Sequence, residues 1–339
     1  MTKQLTDQFL DILGEAASDS KIKGWLSTGC PQFNEILSGD YNGGFAYGRL
    51  YEIFGPSGSG KTVIANNAMI EAQRAGGFAI LVDFERAFML DLAVQLGLDE
   101  SRLVTIRPKT WEEGMTKMMQ VAERMREKSM VPIDAPIVLV VDSIASATPK
   151  SVMEKDLTEL TMNDTTALAR ATSAALKVVA ARADMGNFTG IFLNQIREKP
   201  GVMFGDPTTT PGGKAMEYYS SGRLSLSRKQ LTKTVNGKKS VIGAHITAKC
   251  VKSKHTRPFR TTSLDFLAPD DRHPADWFDI AGSLIDHLLD IDKLDKSGTM
   301  IVWEGKKYQR GSLSKMLDNE AGIKALTDFL PKLAVEEAA

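Results

Sequence analysis

The chain of 339 residues has only two cysteines, Cys30 and Cys250, far apart in sequence. That excludes a disulfide-stapled fold and a cysteine-based zinc site, and it fits a reducing cytoplasm. There is no charge excess of either sign, because 42 Lys and Arg balance 42 Asp and Glu. Coating of a polyanion by overall charge is therefore excluded, and any contact with nucleic acid must come from local patches. No run reaches the roughly 18 apolar residues that a membrane-spanning helix needs, so no membrane partner is expected. The first residues, MTKQLTDQFLDILGEAA, lack a basic segment followed by an apolar core, so no secretory signal is expected. Internal repeats and low-complexity tracts are missing too. What remains is 42% hydrophobic and 25% charged, an ordinary globular composition with length for one large core or two domains.

Residues 4–17 have a helical rhythm, with Leu5, Phe9, Ile12 and Leu13 near one face. This helix either packs on its own chain or docks on another subunit. From residue 25 to 270 short apolar runs alternate with helical patterns. Strands are expected at 49–54, 78–83, 136–142, 190–194, 223–227 and 244–251, and helices at 62–75, 111–128 and 165–183. Continuous apolar strands separated by helices imply an α/β fold with a mostly parallel sheet covered on both faces. The last two strands follow each other directly, with Asn236-Gly237 as a hairpin signal, so an antiparallel extension is expected. Residues 271–339 read as helix, short hairpin and helices, a small α+β C-terminal domain. The expected division is 1–24 (N-terminal helix and linker), 25–270 (core) and 271–339.

The motif GPSGSGKT spans Gly55, Pro56, Ser57, Gly58, Ser59, Gly60, Lys61 and Thr62, between an expected strand and an expected helix. Small residues let backbone N–H groups curl around a phosphate at a helix N-terminus. Lys61 would reach the β- and γ-phosphates and Thr62 would ligate Mg²⁺. Asp142, next to Ser143 at the end of a buried run, supplies the second metal-side group. Asp83 and Glu85 follow the next strand, and period-two alternation would put both on one side if the strand runs that far. Glu85 reaches further out and is the candidate base; a surface salt bridge is the plainer alternative.

The stretch from Asn194 to Gly213, NQIREKPGVMFGDPTTTPGG, holds three prolines and four glycines. That composition argues against a regular element, and loops this long in compact domains are usually functional or disordered. Val202, Met203 and Phe204 are apolar in its middle.

The succession of the phosphate motif, DFER, VVDSIASATPK, FLNQIREKPGVMFGDPTTTPGGKAMEYYSSGRL and KCVKSKHTRPFR resembles the bacterial RecA recombinases. The likeness runs from about Leu26 to the C-terminal region and is strongest over 190–226. It is that of a shorter, divergent relative, including bacteriophage recombinases of the UvsX type. The resemblance implies a RecA-like P-loop NTPase core that binds ATP and Mg²⁺, forms helical filaments on single-stranded DNA, and pairs them with double-stranded DNA for strand exchange. It makes Glu85 the catalytic glutamate and Gln195 the γ-phosphate sensor. It gives DNA contacts to Arg197, Lys199, Val202, Met203, Phe204, Gly212 and Gly213, and sends Lys252 and Lys254 to the neighbouring subunit's ATP. The segment 151–164 stands at the first DNA loop but is acidic here; Met153 or Leu157 as a wedge, and helix capping by Asn163 or Asp164, are both open. Met89 and Leu92 replace a base-contacting aspartate and a stacking tyrosine of the family, with Phe88 as a substitute. Lys306, Lys307 and Arg310 either contact duplex DNA or form a solvated face. Loader and single-strand-binding proteins are implied partners, in the cytoplasm. A ring-forming helicase-like or repair ATPase, and a nucleotide-gated mediator without turnover, are the competing readings.

Overall fold

Aliphatic and β-branched runs form the strands here, and the helices between them carry apolar faces. The structure is a computed structural model and describes residues 22–161, 164, 166–198, 208–235 and 238–331. The N-terminal helix expected at 4–17, Asn163, and the turn pair Asn236-Gly237 lie outside the described residues.

The strands β1 (Trp25–Leu26) and β2 (Phe45–Ala46) pair around helix α1 (Pro31–Ser38). Next come β3 (Leu50–Phe54), α2 (Lys61–Arg74), β4 (Phe78–Asp83), α3 (Leu90–Gln95), β5 (Leu103–Ile106), α4 (Trp111–Glu127) and β6 (Ile137–Asp142). They are followed by α5 (Lys150–Met153), α6 (Ala167–Gly186), β7 (Phe188–Asn194), β8 (Arg197–Glu198), β9 (Thr208–Thr209) and α7 (Ala215–Tyr219). Then come β10 (Gly222–Val235), β11 (Lys238–Ser253), β12 (Thr261–Leu267) and β13 (Trp277–Phe278). The chain closes with α8 (Ile280–Asp290), β14 (Asp295–Ser297), β15 (Met300–Trp303), β16 (Lys306–Tyr308), α9 (Arg310–Leu317) and α10 (Glu320–Asp328).

The main sheet has the order β13-β12-β11-β10-β3-β7-β6-β4-β5. From β10 to β5 all neighbours are parallel, and from β13 to β10 all are antiparallel. This is the α/β architecture with the antiparallel extension expected from the sequence. Strand alternation sends side chains to two cores. Ala79, Leu81, Val138 and Val140 pack with α1 and α2; Ile80, Val82, Leu139 and Val141 pack with α4 and α6. Each buried aliphatic side chain contributes about 1.5–3 kcal/mol, so the covered sheet is a rigid base for the loops at its edge.

The strand β13 joins the main sheet although it lies beyond the residue-270 boundary read from the sequence. A third cluster, with Leu284, Ile285, Leu288, Trp303, Leu313 and Leu326, fills the C-terminal part. Arg310, a candidate for duplex contact, is instead engaged by Asp279 (3.0 Å) and Asp286 (2.7 Å). Those carboxylates raise its pKa above the ordinary arginine value although burial pulls the other way. Lys306 and Lys307 remain exposed.

Candidate functional site

The strands β3, β7, β6 and β4 are adjacent and parallel, so their carboxyl ends open on one edge. That edge is where open α/β sheets bind ligands. From β3 the chain enters Gly55–Thr62. Gly60, at φ 83°, caps the N-terminus of α2 in a left-handed conformation, and a Cβ there would strike the Phe278 ring. Lys61 Nζ donates to the carbonyls of Gly55 (3.0 Å) and Pro56 (2.8 Å), arching its charge over the loop. Thr62 Oγ1 donates to Asp142 Oδ2 at 3.3 Å. Ser59 Oγ is buried without a hydrogen-bond partner among the described residues. A cation, an orphan hydroxyl and backbone amides at a helix N-terminus fit a polyphosphate. The Thr62 hydroxyl and Asp142 carboxylate are the hard oxygens that suit Mg²⁺.

Asp142 is pushed up to about 6, chiefly by burial and next by the Glu85 carboxylate, with Thr62 partly opposing. Lys61 is lowered, mainly by burial, against the pull of Asp142 and Glu85. The folded protein therefore holds a proton on Asp142 more tightly than the unfolded chain does. That contribution to stability is full below the ordinary aspartate pKa and is lost as pH rises through about 6. Asp142→Asn should therefore stabilise the metal-free, nucleotide-free protein at pH 7.5 by about 1–2 kcal/mol, given partial solvent screening. At pH 4 the gain should vanish. Thermal melting at the two pH values checks this, and a gain equal at both would refute the assignment.

The strand β4 ends at Asp83, so the alternation that would have put Asp83 and Glu85 on one side does not continue. Asp83 is buried, accepts from the Ala87 and Phe88 amides, and pairs with Arg107 at 3.6 Å. Phe84 stacks on buried Trp111 (5.9 Å, 21°), while its N–H donates to the Asp142 carbonyl at 2.7 Å. This anchor leaves Glu85 in the cleft. Glu85 Oε1 accepts from Ser143 Oγ (2.6 Å), Ser146 Oγ (3.1 Å) and Gln195 Nε2 (3.4 Å). Among the described residues these are the hydrogen bonds of its carboxylate, all on Oε1, so Oε2 remains for a water. Ser146 was not picked out from the sequence.

A cavity of about 340 Å³ joins the phosphate loop, Glu85, Asp142 and Gln195 to an apolar end made by Phe88, Met89, Leu92 and Phe266. Ala275 and Asp276, from the segment between β12 and β13, also line it and carry no motif that marks them.

The expected DNA loop rises from a two-pair stem. Arg197 pairs with Thr209 and Glu198 with Thr208. Lys199, Val202, Met203 and Phe204 lie outside the described residues. At the far foot Gly212 (φ 86°) is buried, and a Cβ there would press on Ile144, so geometry as well as any ligand demands glycine. Gly213 is exposed. In the segment expected as the first DNA loop, Leu157 is 87% exposed and Met153 49%. Asp164 does not cap α6, whose N-cap is Thr166; it pairs with Lys155 at 2.6 Å.

Lys252 and Lys254 do not line this chain's nucleotide cavity. Lys252 pairs in register with Arg223, beside Glu52 of β3, short of the phosphate loop. Lys252 Nζ donates to the Glu217 and Tyr218 carbonyls, and Lys254 is exposed.

A phosphate-type loop after β3, with the Asp142 carboxylate two strands over at the end of β6, makes the chain a P-loop nucleotide-binding protein. Comparison with known proteins narrows the class. The model of the RecA N-terminal domain matches residues 2–270. Curated relatives named Protein RecA, from Staphylococcus aureus strains JH9, Newman and N315, are each 37% identical over 271 residues. The match covers 79% of this chain and 72% of each relative. The chain belongs to the RecA family. Membership places it among the ATP-dependent proteins of homologous recombination and strand exchange. The family's members are DNA-dependent ATPases and act as DNA-binding homo-oligomeric filaments.

Proposed function

We propose that this chain hydrolyses ATP when bound to single-stranded DNA, and that it assembles on that DNA as a helical filament able to pair with a homologous duplex. The observation that carries the reading is the contact of Gln195 with Glu85, at the mouth of the DNA loop. Glu85 takes the proton of the attacking water. Lys61 holds charge against the β- and γ-phosphate oxygens, and Ser143 and Ser146 keep Glu85 in place. Thr62 and Asp142 hold Mg²⁺, which when bound neutralises charge on the phosphate oxygens. Lys252 and Lys254 reach the nucleotide of the next subunit, a head-to-tail contact that gives an open helix.

Arg197 and Lys199 meet phosphates, Gly212 and Gly213 offer backbone N–H groups, and Phe204 with Val202 and Met203 lies against bases. Contacts of this kind read no sequence and are weakened by salt. Leu157 and Met153 are the apolar candidates of the first loop, and exposed Lys306 and Lys307 are candidates for duplex contact. Loader and single-strand-binding proteins complete the partners, and the cytoplasm is the compartment. No helix among the described residues is long and apolar enough to cross a membrane.

Phe204→Ala tests the loop. It should weaken single-stranded DNA binding by roughly tenfold or more, the size of one base-stacking contact. Nucleotide affinity should stay unchanged. Intact strand exchange in this variant would remove Phe204 from the base contact.

A further inference from the structure

A carboxylate with no part in the site above lies in the middle of β3. Glu52 is 0% exposed, inside the otherwise apolar run LYEIF. A charge there requires partners, and the structure supplies two. Arg223 Nε of β10 donates to Oε2 at 2.6 Å, and Asn194 Nδ2 of β7 donates to Oε1 at 2.9 Å. Asn194 is also 0% exposed. The same amide nitrogen donates to the Pro211 carbonyl at 2.9 Å, and Asn194 Oδ1 accepts from the Gln195 N–H at 3.0 Å.

Every polar atom of the Asn194 side chain is thus committed. One side holds the foot of the 197–209 stem, where the chain returns through Pro211 to Gly212. The other holds the backbone of Gln195, whose side chain touches Glu85. Glu52 stands behind and fixes which way the amide faces. Arg223 extends the network toward Glu217 (3.6 Å) and over the Phe54 ring (4.8 Å), directly before the phosphate loop. Gln195 and Pro211 are sixteen positions apart in sequence, yet one side chain spans them.

We propose that Asn194, oriented by buried Glu52, is the positioning residue that couples Gln195 to the foot of the DNA loop. Movement of Gln195 toward a γ-phosphate then shifts the Pro211 carbonyl through a rigid, fully hydrogen-bonded link, and strain on the loop from DNA is returned along the same path. The link is the physical element through which nucleotide state sets DNA affinity. It rests on the ATP- and DNA-binding reading given above.

The test uses the full chain and a fluorescent poly-dT oligonucleotide. The single-stranded DNA affinity is measured with a non-hydrolysable ATP analogue and with ADP, and the ratio of the two is the readout. Melting temperature and affinity for a fluorescent ATP analogue are measured alongside. Asn194→Asp keeps the acceptor for Gln195 but loses both donated bonds and faces Glu52 with a second carboxylate. The ratio should fall at least tenfold, toward one, while nucleotide affinity changes less than threefold. Glu52→Gln, which keeps an acceptor but frees the orientation of the amide, should lower the ratio by about threefold. If Asn194→Asp does not fold, Asn194→Ser, smaller and neutral, is read in its place with the same tenfold expectation. A wild-type ratio well above one with folded variants that match it would overturn the coupling role alone. A wild-type ratio of one would overturn the functional reading and this inference with it.

Discussion

Glu85→Gln should lower DNA-stimulated ATP turnover by about two to four orders of magnitude, the range of a lost general base. Binding of ATP and of single-stranded DNA should survive, because Lys61, Thr62 and Asp142 are untouched. The isosteric amide keeps an oxygen that can still accept from Ser143, Ser146 and Gln195, whose donors lie 2.6, 3.1 and 3.4 Å from Oε1. What is lost is the proton-accepting charge. Stable filaments that fail to turn over are the expected phenotype, with release from DNA slowed in step with hydrolysis. Steady-state turnover and filament lifetime on the same preparation check it. Unchanged turnover would return Glu85 to a surface ion-pair role.

Replacing Lys252 and Lys254 together by alanine should cost at least about a thousandfold in turnover, as loss of a charge supplied across an interface does elsewhere. The chain's own fold keeps both lysines off its own nucleotide cavity. The effect should therefore be complementable. In an equal mixture with Glu85→Gln, a site is whole when its cavity comes from the lysine variant and its neighbour from the glutamine variant. Random head-to-tail assembly makes about a quarter of the interfaces whole, so turnover should return to about a quarter of wild type. A mixture no more active than its parts would mean that the lysines act within their own subunit or only hold α7, as the Lys252 contacts with the Glu217 and Tyr218 carbonyls suggest for the lone chain.

Much of this was legible in the residues. The runs FAILVD and PIVLVVD are long, aliphatic and buried on both faces, so β4 and β6 could be read almost to their ends. GPSGSGKT announces its loop because few other sequences permit that backbone. The short elements were not legible. In β5, LVTI is a four-residue edge strand with an exposed Thr105, and α1 spans only eight residues, too few for a helical period to stand out. Phe88, Met89 and Leu92 of the cavity were legible, but Phe266, Ala275 and Asp276 were not, because they arrive from a segment remote in sequence. Glu52 did leave a signal: an acidic residue amid LYEIF has to be paired if that run is a central strand, and Arg223 and Asn194 were the partners to seek. Asp83 is the opposite case. Its spacing put it on one side with Glu85 only if the strand ran on, and the bend after β4 sends it to backbone amides and Arg107.

The most direct measurement is ATP turnover with and without single-stranded DNA, with electron-microscope imaging of the same samples. Strong stimulation by DNA together with open helical filaments is the result predicted. Turnover indifferent to DNA, or closed rings in place of filaments, would contradict the account and favour a helicase-like motor on the same core.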